Sequence, residues 1–433
     1  MIASVPARRS RISPTLPGWL VVRSDGGVSE QGHGGCALRP PLLIAALALL
    51  LAGCSKAAES PAAKAGSKEP AGAQRLPGIA YWHDQKGEVP WSIHIVKIDR
   101  SRSDLGFVST HARNTVLGLG TLGSQIRSVP PSVGKPLVGI NGDFYVVDNG
   151  PYIGDPRGLQ IMNGELVSAP TDQVAFWIDS SGEPHAAHVE SNFKVTLPDG
   201  TTLPLKLNEE RGAREVALYT PRLGSSTRTA GGRELLLAKE GDSPWLPLAV
   251  NTTYRLRVTE VREAGDTPLR KDGLVLSFGP KLPAAAGLAA GAVITISTGT
   301  TPELGAPRTA IGGGNILIRG GVVQQFSMPA SGAYKFRSVV ERHPRSAVGY
   351  NATEIFLVEV DGRQPGLSIG MTLHELGLYM KGLGCEEAMN FDGGGSSTLW
   401  FDGRVVNSPC NGGERDIGNG LVVVRKPAAQ AAQ

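Results

Sequence analysis

The sequence has few cysteines and lacks the signatures of several common enzyme classes. Four cysteines in 433 residues exclude a disulfide-rich scaffold, and neither Cys385 nor Cys410 has a partner at the spacing of a zinc-ligand pair. The HExxH and EF-hand patterns are absent. These absences argue against HExxH metalloproteases and EF-hand proteins.

Most of the chain also has almost no net charge. Residues 1–54 contain five Lys or Arg and two Asp or Glu, which leaves 38 basic and 37 acidic residues in the remainder. No basic stripe or interleaved aromatic platform follows, so the sequence predicts no nucleic-acid partner.

The longest apolar segment, residues 41–52, has about half of the roughly 20 residues that a permanent membrane span needs. It ends in Leu-Ala-Gly-Cys at Cys54, which resembles a bacterial lipobox. We therefore predict that residues 1–54 form a lipoprotein signal region and that Cys54 is lipidated. The exported protein would then be anchored to the membrane on its periplasmic side.

The segments that flank the folded part are polar and lack apolar periodicity. Residues 55–75 consist almost wholly of Ala, Ser, Pro, Lys, Glu and Gly, which predicts a flexible tether, and residues 426–433 predict a disordered tail. Residues 76–425 remain for one folded domain. Within it, residues 183–300 are rich in strand and hairpin signals, such as the turn around Asp199 and Gly200.

The composition predicts an α+β fold with a β-dominated mixed-sheet core and few helices. The chain is 41% hydrophobic and contains 57 Gly and 31 Pro, and short strand-like runs outnumber helical patterns. The strongest helix prediction is 372–383, where Thr372 and Glu375 form a capping box and Gly384 follows. A glycine-interrupted pattern predicts a weaker helix over 116–126.

The most informative motif lies between residues 390 and 398. There, Asp392 is followed by three glycines and a run of hydroxyl side chains. A turn needs one or two glycines, whereas three in a row let backbone amides approach a ligand closely. A glycine-rich hairpin turn is the alternative.

Two other apolar runs end in the same way. Residues 137–140 lead into Asp143, and residues 355–360 lead into Asp361, and both runs are typical of buried strands. If these strands share a sheet and a direction with the strand before Asp392, the three carboxylates meet at one edge, where open sheets place ligands. For each aspartate taken alone, a simple turn remains the alternative.

Export determines how the cysteines are interpreted. With one cysteine in the leader and Cys54 acylated, Cys385 and Cys410 remain for the folded domain, and an oxidising compartment permits their pairing. Two unrelated thiols are the alternative, because a sequence cannot supply the required approach of the two Cα atoms.

Several linked motifs, in order, resemble the phosphodiester glycosidase family. The resemblance covers residues 80 to 425. The matching segments are INGDFY (140–145), RGLQIMNG (157–164), LYTP (218–221), GAPRTAIGGGNILIR (305–319), HPRSAVGY (343–350), VDGRQPGLSIGMT (360–372), NFDGGGSST (390–398) and ERDIGNGLVVV (414–424).

The resemblance implies hydrolysis of a sugar 1-phosphodiester, with a sugar phosphodiester or a phosphate-containing envelope glycan as the partner. A carboxylate near the anomeric carbon stabilises an oxocarbenium-like state, and arginine suits a phosphate leaving group. The candidate catalytic residues are Asp392 first, then Asp361 and Asp143. The candidate substrate- and phosphate-binding residues are Arg345, Arg363, Arg308, Arg157, Asn141, Asn390, Gly393, Gly394, Gly395, Ser396 and Ser397.

Other questions stay open at the level of sequence. His343 suits either an acid/base or a residue that positions its loop, and the latter is favoured because a phosphate leaving group needs little protonation. No cofactor is expected, although aspartate oxygens would suit a divalent cation. A non-catalytic envelope lipoprotein that binds glycan is the alternative to an enzyme.

Overall fold

A computed structural model of the protein describes residues 69–328 and 337–428. The predicted signal region, the lipidation site Cys54 and most of the tether lie outside the described residues, as does the end of the tail. The first strand begins at Gln74. Among the described residues, no helix combines the length and apolarity needed to cross a bilayer.

Strands dominate the described part of the chain, which confirms the predicted β-dominated fold with few helices. In chain order they are β1 (Gln74–Leu76), β2 (Ile79–Lys86), β3 (Trp91–Asp99), β4 (Leu105–His111), β5 (Lys135–Asn141), β6 (Gln160–Met162), β7 (Glu165–Ser168), β8 (Gln173–Ile178), β9 (Pro184–Thr196), β10 (Thr202–Pro204), β11 (Lys206–Leu207), β12 (Val216–Tyr219), β13 (Arg233–Lys239), β14 (Thr253–Arg262), β15 (Leu274–Phe278), β16 (Val293–Thr301), β17 (Thr309–Gly312), β18 (Ile316–Arg319), β19 (Val322–Val323), β20 (Arg345–Tyr350), β21 (Glu354–Val360), β22 (Glu387–Asn390), β23 (Leu399–Phe401), β24 (Arg404–Val405) and β25 (Asn419–Arg425).

The strands of the described residues are arranged in three sheets. An eight-stranded sheet has the order β1-β2-β3-β21-β20-β22-β18-β19, and a five-stranded sheet has the order β24-β23-β5-β25-β4. The largest sheet has the order β11-β12-β15-β13-β14-β16-β9-β8-β17-β6-β7, with β10 paired to β9. Pairing is antiparallel except between β11 and β12, so the sheet system is mixed, as predicted.

The middle region contains the hairpins that its sequence predicts. Strands β9 and β10 pair antiparallel around the Asp199-Gly200 turn, with Thr202 opposite Thr196. Gly200 adopts a φ of +86°, a left-handed conformation that glycine reaches without steric cost. Strand β9 pairs with both β8 and β16, so it joins this region to the rest of its sheet.

Two α-helices occur in the described residues, α1 (Leu122–Arg127) and α2 (Leu373–Gly382). Helix α2 confirms its prediction, because Thr372 and Glu375 form the complete capping box and Gly384 follows with a φ of +98°. Helix α1 is shorter than predicted. Gly118 has a φ of +120° and Gly120 makes an isolated bridge to Ile417, so residues 116–121 lie outside the helix.

The core is continuous between the eight-stranded and five-stranded sheets. Buried side chains from both sheets pack together there, including Val96, Leu357, Ile140 and Leu421. A second apolar layer covers the other face of the eight-stranded sheet, where α2 contributes Leu376 and its neighbours. This packing fixes the ends of β5 and β22 relative to each other.

The two cysteines of the folded domain are not paired. Both Cys385 and Cys410 are free thiols, so the disulfide that the sequence left open does not form. Cys385 lies in the apolar layer beneath α2 together with Met380, whereas Cys410 lies in the loop after β24.

Candidate active site

The three predicted carboxylates do not come from strands of one sheet. Strands β21 and β22 both pair antiparallel with β20, so they run in the same direction, as predicted. Strand β5 lies in the five-stranded sheet instead. The prediction of a single shared sheet edge was therefore wrong for Asp143, because the packing of two sheets brings its strand to this place.

An asparagine joins the two sheets at this point. The side-chain amide of Asn141 donates to the carbonyl of Asp392 over 2.7 Å, and its oxygen accepts from Ser346 and the backbone of Thr398. The amide of Asp392 in turn donates to the carbonyl of Gly142 over 2.9 Å. Asp392 and Asp143 are therefore held as neighbours by backbone contacts, and Asn141 acts through Asp392.

Asp392 is a partly exposed carboxylate at the start of the glycine loop. Burial raises its pKa to about 6, while Ser396, the amide of Gly393 and the charges of Arg415 and Arg363 hold the pKa down. The carboxyl group of Asp392 is therefore mostly ionised at pH 7. This balance provides a charged acceptor at the start of the glycine loop.

The three glycines make room for protein side chains beside this carboxylate. A Cβ atom at Gly394, where φ is +63°, would lie 3.0 Å from the Arg363 guanidinium, and one at Gly395 would lie 3.5 Å from the guanidinium of Arg415. A Cβ at Gly393 would lie 2.7 Å from the carbonyl of Pro344. The glycines thus allow Arg363 to lie against Gly394 and Arg415 to lie against Gly395.

Arg415 is an exposed arginine that sequence reasoning missed. Its guanidinium carbon lies 6.0 Å from the centre of the Tyr145 ring, within cation–π range. The buried Tyr145 hydroxyl donates to the carbonyl of Asp416 over 3.0 Å, which fixes the adjacent backbone. Burial raises the pKa of Tyr145, so the phenol stays neutral and the ring supports the cation.

Arg363 is positioned by a histidine. Its guanidinium donates to Nδ1 of His343, with the nearer nitrogen 3.2 Å away, and Nε2 of His343 lies 3.3 Å from the carboxylate of Glu341. Burial lowers the pKa of His343, and Arg345 and Arg363 lower it further, so the ring is neutral at pH 7 and can accept this hydrogen bond. The geometry supports the positional role for His343.

Arg345 has a different environment from that predicted for a phosphate ligand. Its side chain is only 6% exposed, and its guanidinium donates to the backbone carbonyls of Met371, Ser338 and Glu341. These contacts hold together the loops that lie beneath the glycine loop. The structure therefore places Arg345 under the site, where it supports the loop that carries His343.

Asp143 is a buried neighbour of Asp392. Its Oδ2 accepts from the amide of Gly158 over 2.7 Å and from Gln160 over 3.2 Å. Burial raises its pKa to about 8, and the charge of Asp392 adds to the rise. The two carboxyl groups therefore differ at pH 7, since Asp143 is mostly neutral and Asp392 mostly ionised.

Asp361 belongs to a separate polar cluster. Ser92 donates to its Oδ2 over 2.7 Å, Nε2 of His94 lies 3.2 Å from the same oxygen, and the amide of Ser408 donates to Oδ1 over 2.8 Å. Burial raises the pKa of neighbouring Glu359 well above its usual range, and the charge of Asp361 raises it further. Asp143 and Asp392 are thus neighbours, whereas Asp361 belongs to a separate cluster.

The remaining predicted residues are distributed around the site. Asn390 bonds the backbone of Asn315 and Phe391, so it shapes the loop before β18. Ser396 and Ser397 are buried. Arg157 is exposed two residues after Asp155, and Arg308 is exposed at the start of β17, about 13 Å from the end where Gly312 contacts Asp143.

Part of the chain matches a known protein family. A sequence model of a protein family matches residues 248–424, which include Asp361, Asp392, Arg363 and Arg415. That family is the phosphodiester glycosidases. The family resemblance inferred from the motifs is thereby confirmed for residues 248–424, whereas the motifs at 140–145, 157–164 and 218–221 lie outside the match. Asp143 and Asn141 lie outside the phosphodiester glycosidase match.

Solved structures and a curated protein are among the proteins similar to the chain. A hypothetical protein from Synechocystis superposes with a TM-score of 0.64 at 22% identity, over 81% of this chain and 62% of that one. The "putative exported protein" of Burkholderia pseudomallei superposes with a TM-score of 0.57 at 20% identity, over 77% of this chain and 74% of that one. The uncharacterized protein YomE, derived from the SPbeta prophage of Bacillus subtilis strain 168, is 32% identical over 83 residues.

These likenesses differ in what they cover. The YomE match spans 19% of this chain and 13% of YomE, and the chain spans less than two thirds of the Synechocystis protein. Both structures are less than 25% identical to this chain, so they support a common fold.

Proposed function

We propose that the protein is a hydrolase that cleaves the glycosidic bond of a sugar 1-phosphodiester. The observation that carries the proposal is the Asp392 carboxylate at the start of a glycine loop, with the exposed arginines Arg363 and Arg415 lying against Gly394 and Gly395 of that loop. The match to the phosphodiester glycosidase family supports the same reaction class. A negative charge and two cations side by side suit a substrate whose reacting carbon becomes positive while its leaving group is an anion.

The reaction breaks the bond between the anomeric carbon and the phosphate oxygen, and the bonding electrons leave with the phosphate monoester. Asp392 acts at the positive anomeric carbon, as nucleophile or as the base that takes a proton from water. Arg363 and Arg415 bind the departing phosphate with planar, bidentate guanidinium groups. The water hydroxyl ends on the sugar.

Asp143 and His343 prepare these groups. A neutral Asp143 beside Asp392 avoids a second negative charge where the phosphate must approach. The neutral ring of His343 accepts from Arg363 and therefore fixes the direction of its guanidinium. Both are positioning residues in this proposal.

The cellular setting belongs to the same proposal. The lipobox at Cys54 and the export described for the Burkholderia relative support an exported lipoprotein that faces the periplasm. A phosphate-containing glycan of the cell envelope would then be the accessible substrate class.

A hydrolysis screen tests the proposed function. The purified protein is incubated with sugar 1-phosphodiesters that differ in the sugar, and release of the phosphate monoester is followed by ³¹P NMR, with and without a chelator. A matched O-glycoside without phosphate serves as the control and should stay intact, because it offers nothing to the two arginines. Binding of the phosphodiesters without any product would instead favour a glycan-binding lipoprotein.

The pH dependence of kcat/KM should be bell-shaped. Activity should rise as Asp392 loses its proton near pH 6 and fall as Asp143 loses its proton near pH 8, because the second negative charge repels the phosphate. In Asp143→Asn the side chain cannot ionise, so the alkaline limb should disappear while the acid limb remains. An unchanged alkaline limb in that variant would assign the limb to another group.

A further inference from the structure

A histidine and two carboxylates meet on the eight-stranded sheet, apart from the groups of the proposed reaction. His94 on β3 is paired in register with Glu359 on β21, and Asp361 follows two residues later on the same face. Their exposed fractions are 4%, 0% and 1%. Within the described residues, this is a set of buried side chains with the donor types that a metal ion uses.

The spacing of the donor atoms fits a shared ion. One ligand atom from each residue lies within 4.8 Å of the other two, and Nε2 of His94 is 3.2 Å from Oδ2 of Asp361. Two ligands at the usual distance of about 2.0 to 2.1 Å in tetrahedral geometry are about 3.3 Å apart. The distance between Nε2 of His94 and Oδ2 of Asp361 therefore matches the distance between two ligand atoms of one ion.

Glu359 supplies independent evidence for a ligand. Both of its carboxylate oxygens are buried and lack a partner at hydrogen-bond distance among the described residues, where the side-chain amide of Asn407 is a nearby donor. A buried carboxyl group without a partner is costly, and native proteins rarely retain one. An ion at this position would satisfy both oxygens.

The surrounding groups orient the ligands as an outer shell does at known metal sites. The Tyr81 hydroxyl lies 2.9 Å from Nδ1 of His94, so a proton on Nδ1 leaves the Nε2 lone pair directed at Asp361. Ser92 and the amide of Ser408 bind the two oxygens of Asp361. Such contacts orient the imidazole ring and the carboxylate before the ion arrives.

We propose that His94, Glu359 and Asp361 bind one divalent transition-metal ion, with zinc as the best match. Imidazole together with carboxylate favours zinc over magnesium or calcium, which take oxygen ligands almost exclusively. The three protein ligands leave at least one position for water or for Ser92. The ion compensates the two carboxylates, which otherwise share one buried site.

This ion would act on the reaction site through the fold. Glu359 is paired in register with Ser346, whose hydroxyl donates to Asn141, and Asn141 holds the carbonyl of Asp392. Asp361 precedes Arg363 by two residues. We therefore place the ion in a positioning role, behind the groups that contact the substrate.

Metal analysis of the full-length protein tests the site without any activity assay. The protein is stripped with a chelator, dialysed and titrated with Zn²⁺, Mn²⁺, Mg²⁺ or Ca²⁺, and binding is followed by calorimetry, thermal unfolding and elemental analysis. The wild type should retain about one zinc ion per chain and unfold at a higher temperature with zinc than without. Absence of both effects in the wild type would overturn the proposal.

Three variants locate the ion. Glu359→Gln and His94→Gln should each weaken zinc binding by more than the roughly 100-fold that loss of an outer-shell contact can cost. Glu234→Gln is the matched control, since Glu234 is equally buried but bonded to Thr227, Thr229 and Thr267, and its zinc affinity should equal that of the wild type. Wild-type zinc affinity in a folded Glu359→Gln or His94→Gln variant would show that the ion binds elsewhere. If both variants fail to fold, the wild-type titration decides alone.

Discussion

Asp392→Asn should lower kcat/KM by about 10³-fold or more while the protein remains folded, because the amide cannot act as nucleophile or base. The change keeps the shape of the side chain and leaves the Asn141 contact intact, since that contact uses the backbone carbonyl of Asp392. The measurement is the rate of phosphate-monoester release, together with circular dichroism and the midpoint of thermal unfolding.

Asp402→Asn is the matched control for this experiment. Asp402 is exposed in the turn between β23 and β24, ten residues from Asp392, and Asn tolerates its φ of +42°. This variant should retain full activity. Comparable activity in the Asp392 and Asp402 variants would remove Asp392 from the proposed mechanism.

Arg415→Met should lower kcat/KM by about 10²- to 10³-fold, which is typical when one group that stabilises developing charge is removed. Methionine keeps much of the apolar stem against Tyr145 and removes the cation that faces Asp392. Arg415→Lys should recover only part of the loss, because an ammonium group lacks the planar fork that binds two phosphate oxygens. The comparison uses the same release assay with all variants at saturating and at low substrate.

The control for Arg415 is an exposed arginine on another part of the fold. Arg255 is exposed on β14, four strand spacings or about 19 Å from β17 in its sheet, so Arg255→Met should behave as the wild type. A second outcome would also be informative. If Arg415→Met raised KM and left kcat unchanged, Arg415 would contribute equally to substrate binding and to the transition state.

The sequence predicted what local chemistry determines. The capping box at Thr372 and Glu375 needs only residues three positions apart, so α2 was found with its boundaries, and the β-dominated composition set the fold class. The importance of residues 390–398 also followed from a local feature, three consecutive glycines. The purpose of those glycines did not, because the arginines they accommodate come from positions 363 and 415.

The features of the site that the sequence did not predict depend on how separate sheets pack together. Arg415 lies within the ERDIGNGLVVV segment (414–424), but nothing in that segment marks it as a site residue. Its contact with Tyr145, 270 positions earlier in the chain, reveals it. The split of Asp361 from Asp143 and Asp392 has the same origin. Strand ends were identified correctly, but which sheet each strand joins is decided by its burial against the others. The burial of Glu359 beside His94 and Asp361 likewise has no signature in the sequence.

The side chain of Asn141 connects the five-stranded sheet to the eight-stranded sheet by hydrogen bonds. One amide crosses from the five-stranded sheet to the backbone of the residue on which the proposed chemistry depends, so the reactive geometry exists only while those sheets remain docked. If the two sheets moved slightly apart, Asp143 and Asp392 would separate before either sheet lost its own inter-strand hydrogen bonds. Activity should therefore vanish earlier than secondary structure as the molecule is destabilised.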